Sequence, residues 1–202
     1  DGRDLWRTGQ LRKGMVTKAM NEKITEILTE TGKVIRGKEA VSERILMAIL
    51  AEGNILLEDV PGVGKTTLAL AFSKALGLPY RPIQFTPDIM PSDITGFTMY
   101  DRGSGKFRYQ EGPVLQCSLL LADEINRTAS KTQAALLEVM EEKQVTVDGK
   151  SHSVQKPFLV IATQNPAGTA GTQLLPQAQL NRVLVRLSIG HPSLNMLVVV
   201  LR

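Results

Sequence analysis

The sequence predicts an α/β domain built on a mostly parallel sheet covered by helices on both faces. Three observations carry that prediction. Residues 54–58, 118–122 and 158–163 are short runs that stay apolar along most of their length, as strands buried on both faces do. Helical apolar periods lie between the runs, which is the alternation of a sheet with crossover helices. Each run ends in polar residues, Glu58-Asp59, Asp123-Glu124 and Gln164-Asn165, where open α/β sheets bind ligands.

Taken in order, residues 1–19 are polar, contain Gly2, Gly9 and Gly14, and show no apolar period; they read as a flexible leader, with Met15 and Met20 as alternative starts. Residues 20–31 place Ile24, Ile27 and Leu28 on one helical face and stop at Gly32, and residues 38–52 repeat the pattern with Val41, Ile45, Ala48 and Ile49. Strand 54–58 is followed by a glycine-rich loop and a helix over 66–76, then a strand over 81–85. A hairpin is predicted over 96–109, turning at residues 101–105. After strand 118–122 comes an amphipathic helix over 130–142 and a second hairpin over 144–156, where Asp148-Gly149 between alternating runs is a strong turn signal. Strands at 158–163 and 184–188 complete the core, expected over 20–192, and residues 193–202 read as the start of a truncated lid or linker helix.

Composition limits the function classes. The 202 residues suffice for one sizeable domain, and with only 4% aromatics the core must rest on Leu, Ile, Val and Ala. The formal charge of +4 comes from scattered basic residues, not from the concentrated stripe of a nucleic-acid face. Cys117 is the single cysteine, so the chain holds no internal disulfide, and its apolar neighbours make it a small buried hydrophobe. No apolar run is long enough to span a bilayer and the opening residues are too polar for a signal peptide, so the expected location is cytoplasmic. His152 and His191 are isolated, and no zinc constellation is present in the sequence.

The chemistry concentrates in four places. Pro61-Gly62-Val63-Gly64-Lys65-Thr66-Thr67 stands between a predicted strand and a predicted helix, the setting of a phosphate-binding loop. Its glycines let backbone N–H groups turn toward phosphates and the helix presents its positive end; Lys65 would bridge the β- and γ-phosphates, and the Thr66 hydroxyl would bind Mg²⁺. The strict motif has glycine five residues before Gly64, where this chain has Asp59. Second, Asp123-Glu124 ends an apolar strand expected beside the loop; Asp123 would hold the metal and Glu124 would activate the attacking water, the alternative being a helix cap. Third, Asn165 could hydrogen-bond the γ-phosphate or the lytic water, or simply begin the turn at Pro166. Fourth, Arg182 could stabilise transition-state charge from a neighbouring subunit, or be a surface arginine; Arg127 is a weaker cross-subunit candidate.

These motifs, in this order, resemble the Walker A, Walker B, sensor 1 and arginine-finger elements of an AAA+ ATPase, a P-loop NTPase three-layer sandwich with β-hairpin insertions. Residues 57–66, with Asp59-Val60-Pro61 before Gly62, resemble the P-loop of the MoxR branch, where aspartate often replaces the generic glycine. Residues 84–88 and 91–96, Asp123-Glu124-Ile125-Asn126-Arg127, residues 133–142, Ala162-Thr163-Gln164-Asn165-Pro166 and residues 175–182 also resemble that branch. The resemblance implies ATP and Mg²⁺ as ligands, ADP as product, and chaperone-like remodelling of protein complexes. It further implies a homo-oligomeric ring, commonly a hexamer, when the lid is present, with Arg182 acting in trans. A partner bearing a von Willebrand factor A domain, and hairpins that face the pore or partners, belong to the same expectation. Asn181-Arg182-Val183 stands where the family usually has Asp-Arg-Phe, and the family's lid with its second sensor arginine would follow Pro192. Two other functions fit the motifs: a nucleic-acid motor, disfavoured because only Lys150 and Lys156 are basic within 144–156, and a nucleotide-binding fragment that does not hydrolyse.

Overall fold

The computed structural model describes residues 2–59, 62–165, 175 and 181–190, with backbone alone for 2–16. The expectations for Val60, Pro61, Pro166, residues 176–180, His191 and residues 193–202 therefore lie outside the described residues.

Five parallel strands make the central sheet: β1 (Ile55–Glu58), β2 (Tyr80–Gln84), β5 (Leu119–Asp123), β8 (Leu159–Gln164) and β9 (Val185–Leu187), in the order β2-β5-β8-β1-β9. Because side chains alternate across a strand, each uniformly apolar run feeds two cores. Leu56, Leu120, Ala122, Val160 and Ala162 face one, together with Leu136, Leu137, Val139 and Met140 of α5 (Ser130–Glu142). Ile55, Leu57, Leu119, Leu121, Leu159 and Ile161 face the other. That second face is covered by α2 (Glu39–Leu50) and α3 (Lys65–Leu76), with Ile24, Ile27 and Leu28 of α1 (Gly2–Val34) packed against it. The result is the expected three-layer arrangement.

One departure from the sequence reading stands out, and one feature of the sheet lay outside it. Residues 2–19, expected as a flexible leader, continue α1, a helix of 33 residues that runs through Gly32. The stretch is rich in good helix formers, and a glycine inside a helix costs only about 1 kcal/mol relative to alanine. The acidic strand β5 is not paired with β1; β8 lies between them. The local sequences of β1, β5 and β8 are all apolar and contain nothing that ranks them across the sheet.

Two hairpins stand off the sheet: β3 (Gly96–Asp101) with β4 (Lys106–Glu111), and β6 (Gln144–Val147) with β7 (Lys150–Ser153). The short helix α4 (Pro91–Thr95) leads into the first. Asp148 and Gly149 turn the second hairpin with φ of 50° and 74°, the positive values that a tight two-residue turn needs. His152 stacks on Tyr109 with ring centroids 4.1 Å apart, so the hairpins pack against each other. Cys117 is buried, its thiol donates to the Pro113 carbonyl at 3.3 Å, and burial pushes its pKa up to about 12. Among the described residues no helix is long and apolar enough to cross a membrane.

Candidate functional site

The carboxyl ends of β1, β8 and β5 open onto one site. Between β1 and α3 the chain turns through Gly62 and Gly64, whose φ values of 87° and 92° are left-handed. A Cβ at either position would meet nothing within 4 Å, so the backbone conformation, not crowding, calls for glycine. Gly64 caps α3 without any side-chain hydrogen bond, leaving the helix's first N–H groups and its positive end directed at the loop. Val63 is half-buried, and Thr66 and Thr67 are exposed at the mouth of the loop. Lys65 is only 6% exposed, an unusual position for an ammonium. Its Nζ donates to the Asp59 carbonyl at 2.6 Å and to Asn165 Oδ1 at 3.5 Å. Burial holds its pKa below the ordinary lysine value, against the opposing charges of Asp123, Asp59 and Glu124.

Asp123 is the last residue of β5 and shares the face of Leu119 and Leu121, the face toward α3 and Lys65. The acidic pair thus works across β8, and β8 supplies the link. Thr163 Oγ1 donates to Asp123 Oδ1 and accepts the Glu124 N–H at 2.9 Å. Glu124 then leaves the sheet in a left-handed conformation, φ 56° and ψ 45°, which separates its carboxylate from that of Asp123. That carboxylate accepts three hydrogen bonds: from Asn165 Nδ2 at 2.9 Å, from Arg127 Nη1 at 2.8 Å and from Gln84 Nε2 at 3.1 Å. The Arg127 guanidinium is the main cause of a pKa below the usual glutamate value; partial burial opposes it and Asn165 adds to it.

Asn165 is buried and bridges the site: its amide oxygen receives Lys65 and its amide nitrogen reaches Glu124. Asp59 has a different task. Its carboxylate accepts hydrogen bonds from Ser188 Oγ at 2.8 Å, from the Ile189 N–H, and from the Gly190 N–H at 3.2 Å. The residue that departs from the strict loop motif therefore ties the loop to the segment after β9, while its carbonyl holds Lys65. Arg182 lies elsewhere. Its carbonyl accepts from Asn54, just before β1, and its Nε pairs with Glu141 at 2.6 Å, so the fold does not bring it to the Lys65 of its own chain.

Sequence reasoning missed Thr163, Gln84 and Asn126. Thr163 was legible in principle: four residues after Leu159 and two after Ile161 on β8, it shares their face, the face toward Lys65. Gln84 and Asn126 reach the site through partners far away in sequence, which no local pattern encodes.

The arrangement suits a polyphosphate with a divalent cation. A glycine cradle, an uncapped helix end and a buried ammonium favour a multiply charged anion. A threonine hydroxyl and a carboxylate, Thr66 and Asp123, are hard oxygen donors of the kind Mg²⁺ takes alongside phosphate oxygens.

Comparison with known proteins gives a consistent result. Residues 54–185 match the family described as "ATPase family associated with various cellular activities (AAA)". The chain is 51% identical over 163 residues to YeaC of Bacillus subtilis, covering 81% of this chain and 51% of that protein. It is 44% identical over 164 residues to the chaperone MoxR1 of Mycobacterium tuberculosis, covering 81% and 43%. The crystal structure of a protein assigned as an ATPase from Cytophaga hutchinsonii superposes with a TM-score of 0.82 at 39% identity, over 96% of this chain and 58% of that one. The chain spans about half the length of the curated relatives it matches.

Proposed function

The chain belongs to the MoxR family of AAA+ ATPases, and on that premise we propose that it binds and hydrolyses ATP with Mg²⁺, driving chaperone-like remodelling or maturation of protein complexes. The observation that carries the reading is the Lys65–Asn165–Glu124 bridge, in which one neutral amide joins a phosphate-seeking cation to a carboxylate placed to act as base.

In this reading the backbone of residues 62–67 wraps the phosphates, and Lys65 exchanges the Asp59 carbonyl for the β- and γ-phosphate oxygens. Thr66 and Asp123 hold Mg²⁺, which when bound neutralises charge developing on the phosphates. Glu124 orients a water and accepts its proton as the oxygen attacks the γ-phosphorus, with ADP and phosphate as products. Asn165 donates to the γ-phosphate or the water without altering the net charge. Arg127 and Gln84 occupy one oxygen of Glu124, and that oxygen must be freed, or the other used, for proton transfer.

In our proposal the working unit is a homo-oligomeric ring, a hexamer in the simplest case, in which Arg182 of one subunit meets the γ-phosphate held by the next. A protein with a von Willebrand factor A domain is the proposed partner, contacted through the two hairpins. The direct test is steady-state ATP turnover of the wild-type chain and of Glu124→Gln at concentrations that support assembly. Loss of the base should lower kcat by about 10²-fold or more while ATP binding persists. Equal turnover in the two proteins would defeat the hydrolysis reading and leave a nucleotide-binding fragment.

A further inference from the structure

β5 and β8 pair in register only as far as Ala122 and Ala162. Past that point the acidic strand turns away through Glu124, yet β8 must continue to deliver Asn165 to the site. A side chain takes over where the ladder stops. Asn126 Oδ1 accepts the Asn165 N–H at 3.3 Å, and Asn126 Nδ2 donates to the Asn165 carbonyl at 3.2 Å. One amide thus satisfies both main-chain groups of one residue, as a neighbouring strand would. Asn126 is 0% exposed and Asn165 3%, so no water competes for these bonds.

The brace is itself anchored. Asn126 lies in the short 3₁₀ turn Ile125–Arg127, where the Arg127 N–H donates to the Glu124 carbonyl at 2.9 Å. Gln133 of α5, also buried, donates to the carbonyls of Ile125 at 3.2 Å and Thr128 at 3.1 Å. The chain of contacts runs from α5 through the turn to the backbone of Asn165, whose side chain alone remains to be set by Lys65 and Glu124.

We propose that Asn126 is a positioning residue that fixes the Asn165 amide between Lys65 and Glu124. The proposal rests on reading this site as an ATPase centre. Among the described residues both side-chain hydrogen bonds of Asn126 go to Asn165, so an effect carried by that side chain passes through Asn165, whereas one carried by the turn itself would pass through Glu124 and survive removal of Asn165. A misplacement of the Asn165 amide of order 1 Å is enough to slow chemistry substantially, because donors aimed at developing charge act only when already in place.

The test is a double-mutant cycle on the full chain. Asn126→Ala should lower kcat by about 10-fold or more with KM changed by less than about 3-fold. In an Asn165→Ala background the same substitution should change kcat by less than about 2-fold, since the residue it acts through is gone. An equal fall in kcat in both backgrounds, or a rise in KM matching the fall in kcat, would overturn the proposal in favour of a general structural role. If Asn126→Ala does not fold, the isosteric Asn126→Asp, which keeps the acceptor and loses the donor, carries the same cycle. Titration with fluorescent ATP and ADP analogues gives a second readout that needs no turnover. Asn126→Ala should reduce the preference for ATP over ADP in the wild-type background and leave it unchanged beside Asn165→Ala; the same reduction in both backgrounds refutes the proposal. Should wild type and Glu124→Gln hydrolyse equally, the hydrolysis reading fails, while this affinity cycle still decides the role of Asn126.

Discussion

At the scale of single residues, the site shows side chains whose duties differ from their apparent motif position. Asp59 fills the place of a glycine in the generic loop, yet its carboxylate takes two backbone N–H groups and a hydroxyl from residues 188–190. Restoring the generic motif with Asp59→Gly should therefore weaken the protein. Removing a charged acceptor from one buried donor, Ile189, and two that water can partly reach, Ser188 and Gly190, costs roughly 2 kcal/mol, and urea denaturation should show a lower midpoint with an unchanged slope. Lys65 carries the opposite tension. Its folded-state pKa lies below the ordinary value because burial outweighs the three nearby carboxylates. At neutral pH, below both the folded and unfolded pKa, the charged form is less favourable in the fold than in the unfolded chain. Lys65→Met should then raise the melting temperature of the nucleotide-free chain, by a few degrees at most because the Asp59 carbonyl loses its donor, while abolishing ATP affinity. A lower melting temperature would show that the local attractions outweigh the cost of burial. The place of Lys65 at the start of α3, directly after the glycine loop, was legible from the loop motif. The role of Asp59 was not, because its partners lie 129 to 131 positions further along the chain.

At the scale of elements, strand identity was legible and strand order was not. β1, β5 and β8 are recognisable because both faces are buried, which removes the polar alternation of a half-exposed strand. The same uniformity hides which strand lies between the others. Hairpin β6–β7 was legible from Asp148-Gly149 alone, and the packing of His152 on Tyr109 was not, since it joins two separate insertions. Helix α1 was partly missed because its first half lacks an apolar period and carries glycines that disfavour helix, while its Arg, Lys, Gln and Leu residues, which favour helix, leave no periodic mark. The root of hairpin β3–β4 makes a steric demand that only backbone movement could relieve. A Cβ on Gly112 would sit 2.2 Å from the Ile94 carbonyl oxygen and 2.4 Å from the Gly96 nitrogen, backbone atoms that cannot rotate aside. Gly112→Ala should cost about 1–3 kcal/mol as overpacking and pry the hairpin from α4. Limited trypsin digestion should then cut faster at Arg102 and Lys106, with the sheet core still protected. Unchanged cleavage would mean that the root relaxes without moving the hairpin.

At the scale of the whole molecule, a parallel sheet gives its two ends different chemistry. The carboxyl ends of β1, β8 and β5 gather the loop, Asn165 and the acidic pair, whereas Arg182 sits by Asn54 at the amino end of β1. One chain therefore holds Arg182 and Lys65 on different partners, and the Arg182 guanidinium is held by Glu141, with 37% of its side chain exposed. If Arg182 serves catalysis, it serves a neighbour, and the active unit has at least two chains. Mixing two inactive variants tests this directly. Lys65→Met leaves a subunit unable to hold ATP but still able to offer Arg182; Arg182→Ala leaves the reverse. Assembled alone, each should be nearly inactive. In an equal mixture assembled after subunit exchange, about a quarter of the interfaces pair an intact loop with an intact arginine, the share expected for random closure of a cyclic ring. Turnover should recover toward that fraction of wild type, and only at concentrations where light scattering reports assembly. Mixtures no more active than the sum of their parts would place Arg182 outside the reaction, with Glu141 as its lasting partner.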